Sequence, residues 1–274
     1  MNLRTQRLVG QIVTYLAIGI ALAFTLFPIY WMLLTSIQPS NELMRSPPRF
    51  ITSRPTLEHW RFAIETKWRY FINSLIISSS ATAIAILVGS LSGYAFARYR
   101  VGGDTLPFWI LSLKFFPPIA AAVPFFLMMN QLRLLDTHIA VIIPHLIITI
   151  PFAVWMIKGF VAEVPRELEE AAMIDGCSHL GVIRRVTLPL IAPGIVVTAL
   201  FCFIWSWNDF LFALILTRSH AMTLPVAIAG MREAHGLMWG AVSATAAMAT
   251  LPVLLMAIVL QKYIVRGLAL GAVK

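Results

Sequence analysis

Apolar positions fill the chain in six long blocks, and polar positions crowd into the joints between them. Residues 11–37, 70–97, 139–157 and 236–261 hold no Asp, Glu, Lys or Arg, while 105–132 holds only Lys114 and 190–217 only Asp209. A hydrocarbon core about 30 Å thick is crossed by roughly 20 helical residues rising about 1.5 Å each. Each block therefore predicts one transmembrane helix, and the even number puts both termini on one side. The first block follows Arg4 and Arg7 as a signal peptide would. It exceeds the roughly 7–15 residues of a signal core and lacks a convincing small-residue cleavage site, so it reads as a helix. A shorter apolar stretch, 219–231, is interrupted by Pro225 and reads as an interfacial or re-entrant segment.

Composition excludes the soluble reading of 274 residues. Hydrophobic residues make up 59% and charged residues 12%, against about 45–50% and about 25% in soluble domains. That is too little charge for a water-facing shell, and too much hydrophobicity for a disordered chain. The expected fold class is all-α: a polytopic membrane protein with the lipid bilayer as its first partner. The net charge of +9 invites a nucleic-acid reading. No basic run of five exists, however, and bilayer proteins keep Lys and Arg at helix ends; no nucleic-acid partner is expected. Cys177 and Cys202 have neither disulfide nor metal-site spacing, and no metal site is expected. The six histidines are scattered, which argues against an enzyme centre.

The joints differ in size. Residues 98–104 and 133–138 only turn the chain. In 38–69, Thr56 can cap a short amphipathic helix that puts Leu57, Trp60 and Ile64 on one stripe. The joint 158–189 gathers five of the twelve acids. Pro165 with acids behind it marks a helix start, Gly176 marks its stop, and a second short helix is expected over about 179–185, ending near Leu188–Pro189. Such a helix–Gly–helix unit at a membrane face, offering Leu168, Ala171, Ala172 and Ile174, reads either as a docking element or as a solvated loop. With both termini cytoplasmic that face carries eleven Lys/Arg against nine opposite, a slight bias in the expected direction.

The spacing in this joint resembles a known family. Glu170–Ala171–Ala172, three residues, Gly176, nine residues, then Val186–Thr187–Leu188–Pro189 is similar to the EAA loop of ABC importer permeases, with Val186 where Ile is usual. Trp207–Asn208–Asp209–Phe210, Asn73–Ser74, Phe116–Pro117–Pro118 and the ending Arg266–Gly267–Leu268–Ala269–Leu270–Gly271–Ala272–Val273–Lys274 resemble maltose-type sugar permeases, the last favouring their MalG-like half.

The resemblance implies a type I ABC importer permease fold in a bacterial or archaeal cytoplasmic membrane, with the 158–189 joint and the tail 262–274 inside the cell. It implies a second MalF-like permease, two ATPase subunits docking on the EAA loop, and a periplasmic or lipid-anchored solute-binding protein. It places ATP coupling on Glu170, Ala171, Ala172 and Gly176, with Asp175 and Arg166 as added contacts, and sends Gly267, Gly271 and Lys274 toward the ATPase. No G-x-x-x-x-G-K-[ST] loop occurs. The chain is expected to be no enzyme and to bind no cofactor, ATP and Mg belonging to the ATPase. Polar groups inside spans are functional candidates: Asn208 and Asp209 either face a solute path or tie helices together, and Trp207 either stacks on sugar rings or faces lipid or the partner subunit. Lys114 reads as a snorkelling or paired cation. The expected solute is a di- or oligosaccharide or polyol, with glycerol phosphate as an alternative. An ion-coupled secondary transporter is disfavoured, since Asp209 is the sole carboxylate inside a span and no internal repeat is seen.

Overall fold

The computed structural model describes residues 3–99, 101–233 and 236–272, with side chains at 10–99, 101–231 and 238–262. The helices are α1 (Leu3–Ile37), α2 (Ser40–Leu43), α3 (Glu58–Tyr99), α4 (Thr105–Ser112), α5 (Pro118–Gln131), α6 (His138–Glu163), α7 (Arg166–Ile174), α8 (His179–Val182), α9 (Leu188–Trp207), α10 (Leu211–Leu216), α11 (Leu224–Ala229) and α12 (Trp239–Ala272). A two-residue antiparallel ladder joins Arg232–Glu233 to Gly236–Leu237. Among the described residues, five helices are long and apolar enough to cross a membrane, and a bent pair makes up to six. The architecture is all-α, as the apolar blocks require.

Four features depart from the sequence expectation. The third block is not one helix: Thr105–Phe115 and Pro118–Gln131 meet at 87°. Phe116 is extended there, because a proline excludes the helical conformation from the residue before it and brings no N–H of its own. The fifth block stops at Trp207 and resumes at Leu211; the Asn208 amide turns back to donate to Ile204 O at 2.8 Å. The helix capped by Thr56, whose hydroxyl accepts the Glu58 N–H at 3.2 Å, does not end but continues as the 42-residue α3. The stop expected near Pro189 is absent, because the π-helical turn Ile183–Thr187 carries α8 into α9. Widening the helix just before Pro189 relieves the clash its ring would make with the preceding turn.

The chain forms two compact units, Met1–Trp68 with Gly230–Thr250, and Arg69–Ala229 with Leu251–Lys274. In the first, Thr35 and Ser243 hydroxyls meet at 2.8 Å, the Trp60 indole donates to Ser36 at 3.1 Å, and a His59 ring nitrogen lies 3.0 Å from Gln38 O. Leu57 and Ile64 are exposed, so the amphipathic stripe is only partly used. Within this unit the most apolar window of α1 is exposed.

In the second unit α6 lies along α9. Tyr94, Ile157, Val161, Val164 and Ile191 form one core cluster, and Ile77, Met129, Val141, Phe212 and Leu216 belong to another. Between lipid-facing helices, tight packing replaces water exclusion as the cohesive force. Gly89 and Gly93, four apart on α3, allow it: a Cβ at Gly89 would lie 2.6 Å from Ala153 Cβ, and one at Gly93 would lie 2.9 Å from the Lys158 backbone nitrogen.

Candidate functional site

The EAA-like stretch folds as two short helices joined at Gly176. At the end of α7 the Gly176 N–H donates to Met173 O at 3.0 Å and the Cys177 N–H to Ala172 O at 3.0 Å. This is a Schellman closure, which requires a left-handed residue after the cap; Gly176 supplies it with φ +86°. Ser178 then caps α8, its hydroxyl accepting the Gly181 N–H at 3.2 Å. Sequence reasoning found this turn.

Sequence reasoning missed the way the unit is fastened. Glu169 and Glu170 are neighbours in the first half of α7, yet Glu169 is buried and Glu170 exposed. Arg98, near the end of α3, grips Glu169 with two nitrogens: Nε to Oε2 at 2.9 Å and Nη2 to Oε1 at 3.0 Å. The same Nη2 donates to Val164 O at 2.9 Å. The Thr187 hydroxyl donates to Glu169 Oε1 at 2.7 Å, and the Tyr94 hydroxyl to Oε2 at 3.3 Å. Burial would push the Glu169 carboxyl up, but the guanidinium and the hydroxyls together hold it below the usual carboxylate range.

Most of the residues singled out for docking face outward. Glu170, Ala171 and Asp175 are exposed and Ala172 is half-buried. Arg166 is exposed and donates to Arg98 O at 3.3 Å. Leu168, Ile174 and Leu180 are exposed, Ile174 to 87%. An apolar knob beside an unburied carboxylate is what a docking surface presents. Gly267 and Gly271 lie within α12; Lys274 falls outside the described residues.

Within the spans, the break between α9 and α10 is tied to α6. His145 is fully buried, with Nδ1 2.7 Å from the Ser206 hydroxyl and Nε2 3.1 Å from Asp209 Oδ2. The second contact is close but is not an aligned hydrogen bond. Asp209 Oδ2 also accepts the Ala213 N–H at 3.2 Å, which holds the start of α10. Trp207 is 3% exposed, stacked on Phe203 and edge-on to Phe71. Asn208 is exposed. Of the three polar-path residues, the structure thus gives Asp209 a helix-tying contact and Trp207 a core position.

A second fastening holds the segment before α11. The Asp136 carboxylate accepts backbone N–H groups from Arg218, Ser219, His220 and Ala221 at 3.0–3.2 Å. Desolvation would raise this carboxyl, but the four donors outweigh it and hold it well below the usual range. The Asn73 amide donates to His220 O at 2.8 Å and Met222 O at 3.0 Å, and the Ser74 hydroxyl accepts the Leu224 N–H at 2.8 Å. The Asn–Ser pair picked out in the sequence thus anchors the short segment expected to be re-entrant.

Residues 85–270 match the family described as "Binding-protein-dependent transport system inner membrane component". The chain belongs to this family. Members of binding-protein-dependent transport systems that resemble it include the "Probable ABC transporter permease protein y4oR" of Sinorhizobium fredii, 41% identical, with 92% of each chain covered. The "Trehalose/maltose transport system permease protein MalG" of Thermococcus litoralis is 36% identical, with 91% of each chain covered. The "Diacetylchitobiose uptake system permease protein DasC" of Streptomyces coelicolor is 32% identical, covering 90% of this chain and 91% of DasC. Among solved structures, a bacterial ABC transporter involved in import of the acidic polysaccharide alginate superposes with TM-score 0.76 at 24% identity, covering 96% of this chain and 99% of that one. That likeness shows a shared fold.

Proposed function

We propose that this binding-protein-dependent permease forms half of the path by which a di- or oligosaccharide, delivered by a solute-binding protein, enters the cell. The observation carrying the reading is the α7–α8 unit: an exposed Glu170 and an apolar knob on a helix closed at Gly176. In this account α7 sits in a cleft of a separate ATPase subunit, with Glu170, Asp175 and Arg166 as polar contacts. ATP and Mg belong to that subunit. A second, MalF-like permease completes the path, both termini lie in the cytoplasm, and the segment Gly267–Lys274 reaches the ATPase dimer. The relatives' sugar names support the solute class. Closing of the nucleotide-bound ATPase pair would bias the bundle between inward-facing and outward-facing arrangements.

A second reading, an anionic solute such as glycerol phosphate, has one feature in its favour. Lys114 lies in the broken third block with its Nζ 4.3 Å from the Phe152 ring centre. It lines a cavity of about 200 Å³ with Thr149, Phe152, Phe201 and Trp205.

The test is uptake of labelled trehalose, maltose and glycerol phosphate by proteoliposomes holding the chain and its co-purified neighbours. Uptake of a sugar is expected only with internal ATP and the binding protein, and the purified chain alone should hydrolyse no ATP. Uptake that an ionophore abolishes and ATP does not affect would reject the reading.

A further inference from the structure

Three of the long helices converge on one carboxylate. Glu169 lies in the first turn of α7; Arg98 lies one residue before the end of α3; Val164, whose carbonyl takes the same guanidinium, caps α6; and Thr187 ends the π-helical turn that runs into α9. The pair is enclosed, each side chain 7% exposed. A two-pronged guanidinium–carboxylate pair fixes orientation as well as distance. The π-helical turn matters for the same reason: the extra residue per turn shifts the face on which Thr187 projects, and such turns mark functional positions. Glu170, the next residue, remains exposed. One glutamate therefore faces the chain's own helices and its neighbour faces outward.

We propose that Glu169, with Arg98 and Thr187, is the transmission joint of the permease: three positioning residues that make α7 move as one body with α3, α6 and α9. The proposal rests on the reading of α7 as the ATPase-docking helix and deepens it. A push on an α7 attached only through its flanking loops would be absorbed by those loops. With Glu169 gripped by Arg98 and Thr187, the push reaches the spans.

A buried ion pair that merely stabilised the fold would behave differently when disturbed. If it were only structural, weakening it would reduce the assembled complex, and ATP hydrolysis and uptake would fall together. A joint fails by uncoupling, so ATP is hydrolysed while the solute stays outside.

The experiment uses the full complex with its ATPase subunits, second permease and binding protein in proteoliposomes. It measures labelled trehalose or maltose imported per ATP hydrolysed. Arg98→Lys keeps the charge but loses the fork, and Thr187→Val keeps the shape but loses the hydroxyl. Each should leave assembly and stimulated hydrolysis near wild type and lower the import-to-hydrolysis ratio about tenfold, the scale of one lost hydrogen bond to a charged group. Thr187→Ser should restore the ratio. An unchanged ratio in both variants overturns the joint, as does a proportional fall in assembly, hydrolysis and uptake. Uptake by wild-type vesicles that ATP does not affect and an ionophore abolishes would instead overturn the functional reading, and the joint with it.

Discussion

Replacing Gly176 with valine is expected to reduce uptake to background while the chain still inserts in the membrane at wild-type levels. Gly176 holds φ +86° and closes α7 through two backbone hydrogen bonds. A Cβ there would meet nothing within 4 Å, so crowding is not the difficulty. The cost is the backbone conformation, about 1–2 kcal/mol for an ordinary L-residue and more for a β-branched one. The closure would open, and the exposed knob of Leu168 and Ile174 would lose its fixed pose. Asn tolerates the left-handed region, so Gly176→Asn should retain much more uptake than Gly176→Val. Vesicle uptake alongside membrane immunodetection separates the outcomes. Full uptake by the valine variant would show that the turn geometry is not needed for coupling.

Asp209→Ala is expected to destabilise the folded chain by about 1–3 kcal/mol, the cost of leaving buried polar groups without a partner. Its side chain is 8% exposed and His145 is fully enclosed, so water cannot replace the lost contact. The loss of the Ala213 N–H acceptor should fray the start of α10 as well. Thermal unfolding in detergent of Asp209→Ala, His145→Gln and the double variant measures the coupling between the two sites. A double variant no less stable than Asp209→Ala identifies the pair as the cause. Normal melting with selectively lost uptake would place Asp209 on the solute path instead.

The apolar blocks read the membrane helices well because bilayer thickness constrains length more tightly than any local signal. Block 11–37 lies within α1 and block 236–261 lies almost wholly within α12. Where the reading failed, local chemistry competed with apolarity. Pro117–Pro118 breaks the third block although its immediate neighbours are apolar, and Asn208 caps α9 within a block whose one charge is Asp209.

The α7–α8 unit was half legible. Gly176 announces itself because its conformation is local, and Glu170 and Ala171 were singled out by their resemblance to the EAA pattern. Glu169 read only as another acid of the first turn and Arg98 as a loop charge, since their pairing spans 71 residues. A single sequence holds no trace of such a contact. The spacing Gly89-x-x-x-Gly93 was a visible sign that α3 packs closely on another helix, and that packing sets Arg98 within reach of α7. For Asp209 the sequence left two roles open, and the buried His145 beside it supplies the helix-tying contact.

The central claim is that α7 is the handle by which a separate ATPase works this permease. Site-directed crosslinking tests it most directly. Both native thiols are free, so Cys177→Ser and Cys202→Ala give a clean background for Ala171→Cys, an exposed position on α7. The account predicts a crosslink from position 171 to the co-purified ATPase that changes in yield when ATP is added, and protection from an impermeant maleimide applied outside intact cells. Labelling of that cysteine from outside, with no crosslink to any nucleotide-binding subunit, would contradict it.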